Sequence, residues 1–285
     1  MRILVFGASG MIGSAMIRML SEKNEWQVFG TLRSEETRRF FSPAIACNLF
    51  AGVDVDKHDA LVRIFAQTSP DVVINCIGLT KHHEKASDPL LAIPVNALLP
   101  HRMAELCAVA GARLVHVSTD CVFSGVKGGY TEEDAADAKD VYGKAKYLGE
   151  VAYPHTITLR TSTIGHELQS RYGLLEWFLA QKKHCTGFRH AIFSGLPNTV
   201  FAQLVRDVVI PQADLSGLYH VGAEAIGKFD LLRLIARVYG KDIDISMDDQ
   251  FAVDRSLNSD RFREATGYIA PAWPVLVQAM HSARH

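Results

Sequence analysis

The sequence predicts an α/β protein, a parallel sheet with crossover helices followed by a small C-terminal lobe. Three observations predict it. Short apolar runs alternate with helix-length amphipathic segments through the first part of the chain. The first apolar run passes straight into a glycine-rich turn, Gly7-Ala8-Ser9-Gly10-Met11-Ile12-Gly13, which opens an apolar helix. After Ser162 the alternation loosens. A length of 285 residues suits one large α/β domain, or a nucleotide domain with a smaller companion.

Taken in order, 3–6, 27–32, 72–76 and 113–118 read as buried strands, and 11–20, 60–67 and 98–110 carry helical spacing between them. A helix follows Tyr142, then a strand at 156–161. Later segments read as helices near 174–181 and 200–211, a strand at 217–221, a helix at 229–239 and a short strand at 243–246. A Pro271–Pro274 turn precedes a terminal helix. Residues 1–162 are therefore expected to form a nucleotide-binding domain. Residues 163–285 are expected to form mainly a substrate-binding lobe, with 217–221 returning to the main sheet.

Composition excludes several classes. The formal net charge is −1 and no basic stripe stands out, so neither a nucleic acid nor an anionic membrane surface is an expected partner. Cys47, Cys76, Cys107, Cys121 and Cys185 are scattered, odd in number and never spaced Cys-x-x-Cys. That reads as reduced thiols in the cytoplasm, without a disulfide framework or a metal site. The opening apolar run is too short for a leader or a membrane span.

The glycine turn points to a dinucleotide. Glycine is needed where φ must be positive and where backbone approaches pyrophosphate too closely for a Cβ. The helix that follows offers N–H groups and its positive dipole end to phosphate. Gly7, Ser9, Gly10, Met11, Ile12 and Gly13 are the expected contacts, and their Gly-x-x-Gly-x-x-Gly spacing resembles the short-chain dehydrogenases. An acid about 20 residues past the glycines selects NAD by accepting from the ribose hydroxyls. Counting from Gly13 lands instead on Arg33, whose guanidinium suits a 2′-phosphate, so NADPH is expected over NADH. The alternative leaves Arg33 a solvated charge and gives the ribose to Glu35 or Glu36. Asp54-Val55 looks like the acid and apolar pair that contacts adenine in this superfamily, unless Asp54 only caps a helix.

Tyr142 and Lys146 stand at i and i+4, and no other tyrosine has a lysine four residues later. A free phenol, with a pKa of about 10, is a poor proton donor near neutrality, and a neighbouring ammonium lowers it. The apolar strand ending Val117-Ser118-Thr119-Asp120 turns polar where the carboxyl ends of a parallel sheet line the ligand crevice. Thr119 would hold a substrate oxygen there, unless Ser118 and Thr119 only cap the loop.

These residues carry a resemblance. Ser118-Thr119-Asp120-Cys121-Val122-Phe123-Ser124-Gly125, Tyr130-Thr131-Glu132-Glu133-Asp134 and Tyr142-Gly143-Lys144-Ala145-Lys146-Tyr147-Leu148-Gly149-Glu150 closely resemble the dTDP-4-dehydrorhamnose reductase family. The similarity extends through Asn75, Asn96 and Leu159-Arg160-Thr161-Ser162, and more thinly through Gly217-Leu218-Tyr219-His220 and Leu257-Asn258. It implies a Rossmann-type doubly wound sheet, an NADP-dependent oxidoreductase of the extended short-chain type, and reduction of a 4-keto group on a nucleotide-activated deoxysugar for cell-surface polysaccharide precursors. It implies Thr119, Tyr142 and Lys146 as the catalytic set, with Lys146 also on the nicotinamide ribose and Cys76, Ile77 and Gly78 beside the cofactor. A homodimer is compatible with it.

Departures concern the sugar. Cys121 stands where the family usually has tyrosine, and 166–195 does not follow the rhamnose pattern, so a UDP-linked sugar is as compatible as a dTDP-linked one. GDP-fucose synthetases look similar at Cys121 and His166, which would make the pair a base and acid for epimerisation before reduction. The plainer expectation is that Cys121 and His166 line the substrate. Asn258 is expected near the diphosphate, His82 and His83 read as loop histidines, and Trp177-Phe178 as core rather than a base-stacking pair. A third reading is a non-catalytic nucleotide-binding regulatory subunit, similar to the methionine adenosyltransferase partner.

Overall fold

A computed structural model describes residues 1–80, 87–169 and 171–283. In chain order β1 (Arg2–Phe6), α1 (Met11–Leu20), β2 (Gln27–Thr31), α2 (Pro43–Ala46), β3 (Leu49–Phe50), α3 (His58–Thr68) and β4 (Val72–Asn75) come first. They are followed by α4 (Pro89–Ala92), a π-helical stretch Ile93–Leu98, α5 (Leu99–Ala110), β5 (Arg113–Thr119), α6 (Val141–Leu148) and β6 (Thr156–Thr161). Next come β7 (Thr163–Ile164), α7 (Leu174–Ala180), β8 (His184–Phe193), β9 (Leu196–Pro197), α8 (Asn198–Leu204) and β10 (Gly217–His220). The chain ends with β11 (Ile226–Gly227), α9 (Lys228–Val238), β12 (Asp244–Asp254), α10 (Asp260–Thr266) and α11 (Trp273–Ser282).

A seven-stranded parallel sheet runs β10-β6-β5-β4-β1-β2-β3. Leu4 of β1 stands opposite Phe29 of β2 on one side and Val73 of β4 on the other. Strand order therefore reverses at β1, and the connections diverge there to leave a crevice at the carboxyl ends. Residues Ile3 to Phe6 are buried, as befits a strand covered on both faces. Helix α3 buries Leu61, Ile64, Phe65 and Thr68, one stripe at i, i+3, i+4 and i+7. It joins Leu4, Phe6, Val73 and Met103 in a continuous core.

The chain divides into two compact units. The first is Met1–Ser118, Lys139–Leu159 and Ala202–Leu218, and the second is Thr119–Ala138, Arg160–Phe201 and Tyr219–His285. The strand expected at 217–221 does join the main sheet, as β10.

Within the second unit β8 pairs parallel with β12 and antiparallel with β11, and α9 lies against it through buried Leu231, Leu232 and Ile235. Only 243–246 reads as a strand in the sequence, because Asp248, Asp249 and Gln250 break the apolar alternation. In the structure β12 continues to Asp254 through a register shift between Asp248 and Ala252. A smaller core in this unit stacks Phe123 on Tyr130, with centroids 4.1 Å apart and planes at 9°. His220 sits beside it. Its Nδ1 donates to the Tyr130 carbonyl (3.0 Å) and its Nε2 accepts from Arg160 (3.1 Å). Burial, with the Arg160 charge, holds this imidazole neutral and its pKa down to about 3.

Candidate functional site

Gly7 ends β1 with φ of 81°, where an L side chain is strained. Its N–H donates to Thr31 Oγ1 of β2 (3.1 Å), and the Ala8 N–H donates to the Thr31 carbonyl (3.0 Å). A Cβ on Gly7 would lie 2.9 Å from Ile77 Cγ1, and one on Gly13 would lie 2.1 Å from the Gly7 carbonyl oxygen. The absence of both side chains lets α1 begin directly over the strand end. Gly10 caps α1 without a side-chain bond, so no cap side chain competes for the first-turn N–H groups.

A cavity of about 330 Å³ opens at the carboxyl ends of β1, β2 and β4. Its wall brings together Gly7, Ser9, Arg33, Asp54, Val55, Ile77 and Gly78, all expected from the sequence. Thr31, Leu32, Gly52, Val53, Asp56, Leu79 and Val95 also line it and carry no motif that marks them. Gly10, Met11, Ile12, Gly13, Cys76 and Lys146 do not line this cavity. Arg33 is exposed on its wall. Glu35, the alternative ribose acceptor, instead pairs with Arg38, Nη2 to Oε2 at 3.0 Å, and is absent from the wall. Asp54 accepts the Asp56 N–H (3.2 Å) and pairs with Lys57 at 3.4 Å.

Two buried asparagines brace the backbone after β4. Asn75 Oδ1 accepts the Ile77 N–H (3.0 Å) while its Nδ2 donates to His116 Nδ1 (3.1 Å). Asn96 accepts the Leu79 N–H (2.8 Å) and donates to the Leu79 carbonyl (3.0 Å). Burial holds His116 neutral, well below the usual imidazole range, with Lys146 and His101 adding to the effect.

Asp140 starts α6 by accepting the Gly143 N–H (2.8 Å). Tyr142 lies in the first turn and Lys146 one turn on. The Lys146 side chain is buried, and Nζ donates to the Val117 carbonyl of β5 (2.8 Å). Burial lowers its pKa to about 8, and Glu150 and Cys76 act in the opposite direction. Burial also pushes the Cys76 thiol up to about 12. Ser118 Oγ donates to Glu150 Oε1 at 2.6 Å. Glu150 stands only as a motif letter in the sequence, since nothing in its spacing shows what it meets.

Thr119 is the last residue of β5 and the first of the second unit. Its hydroxyl accepts the Cys121 N–H (3.1 Å) and donates to Asp120 Oδ1 (3.2 Å), capping the 3₁₀ turn Asp120–Val122. Burial raises the Asp120 pKa, and bonds from Cys121 and Thr119 and the charges of Arg255 and Lys228 oppose it. Elsewhere in this unit both ring nitrogens of His166 are engaged, Nδ1 by Glu176 (2.7 Å) and Nε2 by the Tyr239 hydroxyl (3.0 Å). The Asn258 side chain donates to Asp260 Oδ2 (3.1 Å) and accepts the Asp260 N–H (2.8 Å). Phe178 is fully buried and Trp177 half-exposed. His82 and His83 lie outside the described residues. Among the described residues no group of His, Cys, Asp or Glu is arranged to hold a metal, and no helix is long and apolar enough to cross a membrane.

The family described as RmlD substrate binding domain matches residues 1–249. The probable low-salt glycan biosynthesis reductase Agl14 of Haloferax volcanii is 28% identical over 254 residues, 85% of this chain and 81% of that protein. The dTDP-4-dehydrorhamnose reductase of Aggregatibacter actinomycetemcomitans is 26% identical over 233 residues, 78% of this chain and 74% of its own. The crystal structure of the Bacillus anthracis dTDP-4-dehydrorhamnose reductase in complex with NADP shares the fold. Its TM-score is 0.80 at 19% identity, covering 99% of this chain and 98% of that one.

Proposed function

From the premise that this chain belongs to the RmlD substrate binding domain family, we propose that it is an NADPH-dependent reductase of the 4-keto group of a nucleotide-activated 6-deoxysugar. The observation that carries the proposal is the buried Lys146 ammonium, held on the β5 carbonyl of Val117 one helical turn from Tyr142. The names of the relatives, reductases of glycan and rhamnose precursors, support it.

The residues present fit a dinucleotide. Glycine at 7 and 13 lets the strand-to-helix turn close without a Cβ striking Ile77 or the Gly7 carbonyl, and the adjoining cavity has Gly7 and the Arg33 guanidinium on its wall. Gly7 to Gly13 would hold the pyrophosphate, Arg33 the 2′-phosphate, and Asp54 with Val55 the adenosine end. Bound there, NADPH would supply a hydride for the carbonyl carbon. Tyr142 donates its phenolic proton to the carbonyl oxygen, and the Lys146 charge stabilises the phenolate left behind. Thr119 is proposed as a hydroxyl contact of the substrate. Cys121, His166 and Asn258 are proposed to contact the sugar nucleotide.

Freshly prepared dTDP- and UDP-linked 4-keto-6-deoxyhexoses, supplied with NADPH, test the proposal through loss of nicotinamide absorbance and recovery of a 4-hydroxy product. Turnover is expected with at least one. NADPH binding without oxidation on either sugar nucleotide would leave the regulatory-subunit reading in its place.

A further inference from the structure

We propose that Glu150 is a positioning residue that keeps the Lys146 side chain charged, and that Ser118 fixes the Glu150 carboxylate in that role. What Lys146 does with its charge rests on the reductase reading, but the electrostatic relation is a property of the folded chain alone.

The backbone dictates where Glu150 lies. Gly149 ends α6 with its N–H shared between the Ala145 and Lys146 carbonyls, both at 3.2 Å. A Cβ on Gly149 would fall 2.0 Å from the Asn96 carbonyl oxygen, so the chain leaves the helix along a path that only glycine permits. That path delivers the Glu150 carboxylate to the Ser118 hydroxyl, which donates to Oε1 at 2.6 Å across 32 residues of sequence. Ser118 directly follows Val117, whose carbonyl accepts from Lys146 Nζ at 2.8 Å.

The need for a carboxylate follows from the other neighbours. The bond from Lys146 Nζ ends on a neutral carbonyl, which does not cancel the penalty of burying an ammonium. Cys76 also faces Lys146 and opposes its burial less than Glu150 does, because burial pushes the thiol itself up to about 12. His116 faces it from β5 and is held neutral, its Nδ1 taken by Asn75, with His101 beyond it. Tyr142 lies one turn back on the same helix. Glu150 follows Lys146 by four residues, and its carboxylate is tied to Ser118, the residue next to the carbonyl that holds Nζ, which places a negative charge where it opposes the burial of the ammonium. Without its charge the lysine would lose its proton at lower pH and could no longer stabilise a phenolate there.

Two substitutions separate this role from a simple tie between α6 and β5. Glu150→Gln keeps length and an oxygen for Ser118 but removes the charge. Glu150→Asp keeps the charge but shortens the reach to Ser118. The readout is the titration midpoint of Lys146, followed by the ¹³Cε shift in protein carrying ¹³C-lysine and assigned by loss of the signal in Lys146→Met. The parent midpoint is expected near 8. Glu150→Gln should lower it by about one pH unit, the low end for losing a close opposite charge. Glu150→Asp should stay nearer the parent. In turnover, the alkaline limb of kcat/KM should move to lower pH in the Gln variant and return in the Asp variant. A Gln midpoint equal to the parent's, or an Asp midpoint no higher than the Gln one, overturns the proposal. A parent protein that reduces no sugar would refute the reductase reading and leave this titration to judge Glu150 by itself.

Discussion

Tyr142→Phe is expected to slow reduction of the keto substrate by at least ~100-fold, the low end for a positioned general acid. The substitution keeps the ring and deletes only the hydroxyl. Asp140 caps α6 through the Gly143 N–H and Lys146 anchors the next turn on Val117, so neither support of the helix depends on the phenol. The loss should therefore appear in kcat and in kcat/KM together, with NADPH affinity little changed, as for an interaction made only in the transition state. Steady-state kinetics and a fluorescence titration of NADPH check both halves. Activity close to that of the parent would remove Tyr142 from the mechanism.

Arg33→Asp should invert cofactor choice. Arg33 follows β2 on the wall of the cavity, at the position where an acid would select NAD. A charge-assisted hydrogen bond contributes roughly 1.5–3 kcal/mol, so its loss should weaken NADPH binding by about 10- to 100-fold. The new carboxylate adds repulsion against a 2′-phosphate and none against a ribose hydroxyl. NADH binding should be held or improved. Titration of both cofactors against both proteins decides the matter. An equal loss for the two, or a parent that prefers NADH, would contradict the role of Arg33.

The parts of the fold written in local pattern were legible in the sequence. β1, the glycine turn and α1 are read almost to the residue because burial, turn chemistry and helical spacing agree there. The pairing of Tyr142 with Lys146 is legible for the same reason, since i and i+4 share a helix face. What depends on distant contact is not legible. The hydrogen bond from Ser118 to Glu150 joins residues far apart in sequence, and only the folded sheet brings them together. Asn75 and Asn96 resemble a family pattern, yet their work on the backbone of Ile77 and Leu79 emerges only from the bonds they make. β8 and the part of β12 beyond Ser246 escape notice because charged and polar residues interrupt their alternation, and pairing between them supplies what side-chain pattern does not. The interleaving of the two units is hidden similarly, because β5, β6 and β10 each contribute residues to both.

The proposed reaction delivers hydride from NADPH to the C4 carbonyl carbon of a sugar nucleotide. NADPH carrying deuterium at both C4 positions of the nicotinamide, supplied with a nucleotide-linked 4-keto-6-deoxyhexose and the parent protein, tests it. Mass spectrometry and proton NMR of the product locate the label. One deuterium bound to C4 of the hexose is expected, in a product that fails to accumulate with Tyr142→Phe. A 4-hydroxy product without deuterium at C4, or no product while NADPH binds normally, would contradict it.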